Sequence, residues 1–527
     1  MKTAQIPAIL VALLMSLAWV VHAADDNTAK GLIALREGRI SLAVDYLQKA
    51  VRDDPKSFKA YMGLGSAYLS GGDYEQAAKN LEKAVSLSPT NTSAAANLAS
   101  AYNMLGADDK AIAIYQKVVA QEPNNPEFHS NLASVYQSAG QLDQALAEYD
   151  KAIELRPSDP EYLVNKGRVY QTMNKSERAI ELFKQALSID NKSVSALTAL
   201  GVAYRIQSQY DKAESHLLGA IKQSAHAWEA QGELGVLCEV QGKLDQAIYR
   251  YSAALKINPQ ALNYLEALAS VYLKKGEFET AIAYYQQVVT QNPQSAKAHG
   301  QLGIALCKSK DYYGAVKELR VAVDVDSGNM SYLNALGGAY RSLGKNEQAQ
   351  TCFQNVLLRD SENTDARVQL GIIAFENRNW PTAEKYLKGA LAISPGDPEA
   401  RYYVGMIEVN KGNLDAAIKQ FGELKSLVMN DARVYYGLGL AYSRKKGEAR
   451  RAIDAFTAAV GIDEKHSEAR WELAKLLEST GDKELAYKEY KKILINDPSF
   501  RLKTEIMAKL KRFRDEGIAQ NDDWQNF

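Results

Sequence analysis

Residues Ser138–Glu161 read SAGQLDQALAEYDKAIELRPSDPE, and Ala145 in their middle has an alanine 34 residues before it and another 34 residues after it. The interval recurs without a miss through Ala43, Ala77, Ala111, Ala145, Ala179, Ala213, Ala247, Ala281, Ala315, Ala349, Ala383 and Ala417. After one inserted residue it resumes at Ala452 and Ala486. A period this strict makes the chain one repeat array, so its 527 residues do not convert into a count of domains.

With Ala24 as position 1, position 8 is glycine or alanine in every unit, from Gly31 and Gly65 to Gly439 and Ala474. Position 20 is the alanine ladder, position 11 is usually tyrosine, and position 24 is always aromatic or leucine. Positions 4, 7, 8 and 11 share one helical face, as do 20, 24 and 27, which predicts two amphipathic helices of about fourteen residues per unit. The turn falls at positions 14 to 17, often with glycine at 15, as at Gly72, Gly140 and Gly276. Small residues at 8 and 20 let the two helices close toward the short end of the ~8–10 Å interaxial range. The prolines agree with this division. Eight of the twelve beyond the first 23 residues stand at position 32, where the second helix has ended, and Pro126, Pro160 and Pro398 open first helices.

Units such as YMGLGSAYLSGGDYEQAAKNLEKAVSLSP (Tyr61 to Pro89) resemble the tetratricopeptide repeat family at nearly every key position. The resemblance covers residues 24–498 as about fourteen 34-residue helix-turn-helix units and implies an all-α, right-handed superhelical solenoid. Its weakest units carry Asn174 and Lys310 at the turn position and Glu408 in place of the core tyrosine. Glu408 is expected at the helix edge, a buried carboxylate being the alternative. The segment from 499 to 527 is expected to cap the last hairpin through Leu502, Ile506, Leu510 and Phe513 and to end in an acidic tail with Asp522 and Asp523. Its basic run from Arg501 to Arg514 leaves room for peripheral association with the envelope surface or an acidic partner.

The first 23 residues place Lys2 before an apolar run that closes on Val21, His22, Ala23, the pattern of an export signal cleaved after Ala23. The mature chain is then expected in the periplasm or outside the cell, with no transmembrane span. Lys plus Arg equals Asp plus Glu at 63 each, so no whole-chain field favours nucleic acid. Cys238, Cys307 and Cys352 are too few and scattered for a disulfide framework or a metal site. The six histidines are dispersed, and no phosphate-cradling loop occurs. Neither an enzyme nor a cofactor is therefore expected.

In the resembled family the concave groove is lined by first helices at positions 2, 5, 6, 9, 12 and 13. Position 6 gives Asn97, Asn131 and Asn165 in consecutive units, with Ser66, Ser100 and Ser134 at position 9 beside them. This resembles the asparagine ladder of O-linked N-acetylglucosamine transferase repeats, in which amides offer donor and acceptor to a peptide main chain. Farther along, the same positions turn apolar: Val368, Ile372 and Phe375, then Tyr402, Tyr403, Met406 and Val409, then Tyr436 and Leu440. A patch of this kind calls for a cover, and a client segment or another subunit is expected ahead of intramolecular packing. The chain thus reads as a non-enzymatic exported scaffold for extended peptides or protein partners in envelope or secretion-complex assembly. The alternative is an accessory subunit of a polysaccharide or glycan export machine.

Overall fold

The computed structural model describes residues 27–518, so the expected signal at 1–23 and the acidic tail lie outside the described residues. Among the described residues there are twenty-nine helices and no strand. They form two compact units, one running to Glu277 and one from Phe278. Hairpins one to seven and the first helix of the eighth repeat (Leu262–Lys275) belong to the first. The second helix of that repeat (Phe278–Gln291), hairpins nine to fourteen and a final helix, Lys503–Asp515, belong to the second.

Every ladder alanine is completely buried. In the sixth repeat a Cβ added to Gly201 would stand 2.5 Å from Leu217 Cγ and 3.2 Å from the carbonyl oxygen of Ala213. Positions 8, 20 and 24 therefore meet at the crossing of the two helices, and the side chain at 24 fills the space that the missing one at 8 leaves. In the repeats that lie wholly within one compact unit, position 8 is alanine at Ala99, Ala133 and Ala474, and there the residue at 24 is a buried tyrosine: Tyr115, Tyr149 and Tyr490.

First helices start where a side chain caps them. Ser57, Asn91, Asn125, Asp159, Ser193, Ser295, Asn329, Asn363, Asp397 and Asp431 each accept a hydrogen bond from the first-turn backbone. They end on a left-handed residue at the turn. Nine glycines fill that place, and Asn174, Ser208, Lys310 and Arg378 occupy it at φ of 57°, 59°, 67° and 58°; the thirteenth first helix instead ends on an extended Lys445, with Gly447 left-handed two residues on. A residue with a Cβ is strained there by ~1–2 kcal/mol. Glycine in turn loses ~0.5–1 kcal/mol more entropy on folding. Lys310→Gly should therefore raise stability by about 0.5–1 kcal/mol, read as a higher urea midpoint at unchanged slope. Asn174→Gly should gain less, since asparagine tolerates this conformation; a lowered midpoint for Lys310→Gly would contradict the assignment of strain.

A second device, at position 4, ties consecutive repeats together. His129 places Nε2 2.8 Å from the Pro123 carbonyl oxygen and Nδ1 2.6 Å from Glu148, and His299 repeats this with Pro293 at 3.0 Å and Glu318 at 2.7 Å. Arg401 and Arg470 stand at the same position. They donate to the carbonyls of Pro395 (2.6 Å) and Glu464 (3.0 Å) and pair with Glu423 and Glu489. Histidines that look dispersed in the sequence are thus equivalent struts.

The residue that breaks the period lies in the turn of the thirteenth repeat. Its helices end at Arg444 and begin at Ala449, leaving Lys445–Glu448 between them, while Ala452 and Phe456 keep their fully buried places. Glu408 departs from its expected position at the helix edge: it is only 8% exposed, and the carboxylate takes a 2.8 Å hydrogen bond from the Asn413 amide in the adjoining turn. At the end of the chain, Ile506, Leu510 and Phe513 of the final helix are fully buried in the core of the last hairpin. Lys509 (3.0 Å), Arg512 and Tyr490 (3.0 Å) converge on Glu478. Burial pushes the Glu478 carboxyl up, but these three hydrogen bonds outweigh it and hold the group below its ordinary range.

Candidate functional site

The amide row belongs to the first compact unit. Asn97 is 4% exposed and its amide donates to Ser66 Oγ at 3.2 Å; Ser66 in turn donates to the Met62 carbonyl at 2.8 Å. This is not the open rung that its sequence position predicts, because an amide facing the preceding first helix finds its partner there. Ser100 donates to the Ala96 carbonyl at 3.0 Å and lies 2.7 Å from the Tyr115 hydroxyl, and Ser134 is hydrogen-bonded to Tyr149. These tyrosines at position 24 reach through from the second helix, and burial pushes the Tyr115 phenol up to about 12. The two serines are thus fixed from behind. Asn131 and Asn165 remain half-buried, the latter accepting a long 3.5 Å hydrogen bond from Arg168. Two amides, rather than three, lie at the surface.

The apolar row belongs to the second compact unit, on the first helices Thr364–Glu376, Pro398–Lys411 and Ala432–Arg444. Val368, Ile372 and Val409 are buried at 4%, 0% and 1% exposure and belong to the internal core. Phe375, Tyr402, Tyr403, Met406 and Tyr436 are half-buried and form the part of this row that reaches the surface. Their rings meet edge to face: Phe375 with Trp380 at 5.0 Å and with Tyr403 at 5.1 Å, and Tyr403 with Tyr402 at 5.3 Å. Tyr436 packs 4.9 Å from His466 and 6.1 Å from Phe456. Burial raises all three phenols, that of Tyr436 to about 12, so their hydroxyls keep their protons through the physiological range.

Charged groups beside this cluster are paired with one another. The Arg433 guanidinium lies over the Tyr402 ring at 5.4 Å and contacts Asp431 at 2.8 Å and Glu399 at 3.5 Å. Arg341 contacts Glu376 at 3.5 Å and donates to Gln369. Among the described residues no cluster of His, Cys, Asp and Glu is arranged to hold a metal ion, and no helix is long and apolar enough to cross a membrane.

Helical hairpins in series, presenting amides in one compact unit and aromatic rings in the other, define a repeat scaffold whose chemistry is that of a surface. Residues 40–163 match the family described as cytochrome c-type biogenesis protein H TPR domain. Tetratricopeptide repeat families match 160–193, 198–261, 269–309, 334–398, 374–439 and 436–499. The chain belongs to the tetratricopeptide repeat family and is a protein-interaction scaffold of that type. Superkiller protein 3 of Schizosaccharomyces pombe is 26% identical over 167 residues, which are 30% of this chain and 12% of that protein. DnaJ homolog subfamily C member 3 of Homo sapiens is 24% identical over 211 residues, 37% of this chain and 42% of that protein. The matches thus span less than half the length of either relative. The crystal structure of the APC/C hetero-tetramer Cut9-Hcn1 is similar at 16% identity and a TM-score of 0.43, over 96% of this chain and 98% of that one.

Proposed function

We propose that this chain is a non-enzymatic, exported scaffold that holds extended segments of protein partners against its first-helix faces during assembly of envelope or secretion complexes. The observation that carries this reading is the run of half-exposed side chains Phe375, Tyr402, Tyr403, Met406 and Tyr436 on successive first helices, in front of a core already closed by Val368, Ile372 and Val409. Interface anchors are typically aromatic, and such rings contribute most where a partner completes their burial. The amides of Asn131 and Asn165 offer a second, sequence-tolerant grip. The export pattern in residues 1–23 and the match of residues 40–163 to a cytochrome c-type biogenesis domain support the envelope assignment.

A photo-crosslinking amino acid placed at Met406 tests the reading, with Leu358, 82% exposed on the second helix Asn346–Arg359, as the control position. Illumination in cells should give discrete adducts from position 406 and few from 358. Equal labelling at both positions, or none at 406, would count against a partner on this face.

A further inference from the structure

A charge drawn partly out of water needs partners at hydrogen-bond distance to replace the water it gives up. On the first helices, Arg205, Arg367, Arg401 and Arg470 each hold an oxygen at 2.6–3.0 Å, and Arg341 donates to Gln369. Arg168, on the first helix Pro160–Thr172, differs. Its side chain is only 23% exposed, yet its contacts are Asn165 Oδ1 at 3.5 Å and Glu229 at 3.9 Å. Both lie beyond the ~2.7–3.2 Å of an ordinary N–H···O bond. Glu229 thus supplies a counter-charge without the hydrogen bond that should accompany it.

The groups around this guanidinium are donors as well. With its oxygen turned to Arg168, the Asn165 amide has its N–H groups left to give. Three residues beyond Arg168, the Gln171 amide nitrogen is buried and has no hydrogen-bond partner among the described residues. One repeat earlier, Asn131 stands half-buried at the position equivalent to Asn165, and Ser134 is hydrogen-bonded to the Tyr149 hydroxyl, which the Arg168 charge reaches. Lys166, the neighbouring cation in sequence, is paired with Asp150. What the site offers is therefore one under-paired positive charge among amide donors. A single carboxylate matches it in charge and brings two acceptor oxygens. A phosphate group would bring a second negative charge with no second cation to meet it.

We infer that Arg168 anchors an acidic side chain of a partner segment whose main chain is held by the Asn131 and Asn165 amides. The occupant is an aspartate or glutamate within a chain, since first helices of the same compact unit continue the surface on both sides of Arg168. The inference rests on the reading of first-helix faces as partner surfaces and names the chemistry that this one takes.

The test uses the full mature chain and fluorescein-labelled decapeptides with amidated C-termini, in fluorescence anisotropy at about 0.15 M salt. A peptide of Ser–Glu repeats should bind about fivefold tighter than one of Ser–Gln repeats. Arg168→Gln should bring the two affinities together at an unchanged unfolding midpoint, and Arg168→Lys should restore part of the difference. Glu229→Gln removes the internal competitor and should widen it, while Asn131→Ala should weaken both peptides alike. Equal affinity for the two peptides, an undiminished preference in Arg168→Gln, or a narrowed one in Glu229→Gln overturns the inference. So does a Ser–Gln peptide with a free C-terminal carboxylate that matches the Ser–Glu peptide, which would assign the site to chain ends, or displacement by equimolar inorganic phosphate. Adducts at position 406 together with equal affinity for the two peptides would overturn this inference alone. A Ser–Glu preference without any adduct at 406 would support it and count against the aromatic face.

Discussion

Phe421→Ala should cost about 3–5 kcal/mol of stability by emptying the space of one completely buried ring in the second compact unit. Phe421 is completely buried on the second helix Leu414–Leu427. Its ring lies where two first helices close over it: a Cβ on Gly405 would stand 2.8 Å away and one on Gly437 2.5 Å away. Both neighbours are glycines, so neither has a side chain that can swing into the vacated space, and the cavity persists. Because each repeat touches only its neighbours, the loss is local, and unfolding should divide into two steps instead of one. Trp380 and Trp471 lie on either side of the site along the chain, so fluorescence of single-tryptophan variants reports each part separately. A midpoint within about 0.5 kcal/mol of wild type would show that the ring is not the wedge between these helices.

The second large effect is on binding. Tyr403→Ala with Tyr436→Ala removes two aromatic anchors, each worth ~2 kcal/mol or more in a typical interface, so partner affinity should fall by roughly several hundred-fold. The same rings also pack against Phe375, Tyr402, Phe456 and His466, which makes some loss of stability unavoidable. The paired measurement separates the two effects. Affinity measured well below the variant's own unfolding midpoint should fall by the full factor, and an Asn131→Ala control should remain close to wild type at this face. A double variant that loses stability but binds its partner normally while folded would assign these rings to packing alone.

The sequence made the hairpin legible because its constraint is local and repeated. Ala145 and its thirteen counterparts, the small residues at position 8 and the large ones at 24 lie within one unit, at spacings a helical wheel reads directly. The surface was less legible because its residues answer to neighbours one repeat away. Asn97 looks exposed on its own helix, yet Ser66, 31 residues earlier, takes its amide. Ser100 and Ser134 look like groove residues until the tyrosines at position 24 are seen to reach them from the second helix. The pairing of serine at 9 with tyrosine at 24 in those two repeats was a signal present in the sequence. Val368, Ile372 and Val409 fall at groove positions by register, yet close packing of first helices in this part of the array encloses them. The struts at position 4 are hidden in the sequence because histidine and arginine share no obvious pattern there; only in the fold do both reach a backbone carbonyl six residues back.

The lone irregularity of the period, Lys445–Glu448, has a practical meaning for anyone who wishes to rebuild this chain. An added residue inside a helix rotates everything beyond it by about 100°, turning buried faces outward until the next break in the helix. Here the added residue is absorbed between two helices, and the thirteenth hairpin closes as the others do. The tips joining the two helices of each repeat are therefore sites where length is free to vary. A fluorophore-bearing loop, an epitope or a whole folded module spliced between Lys445 and Glu448 should leave the helical faces in phase on either side.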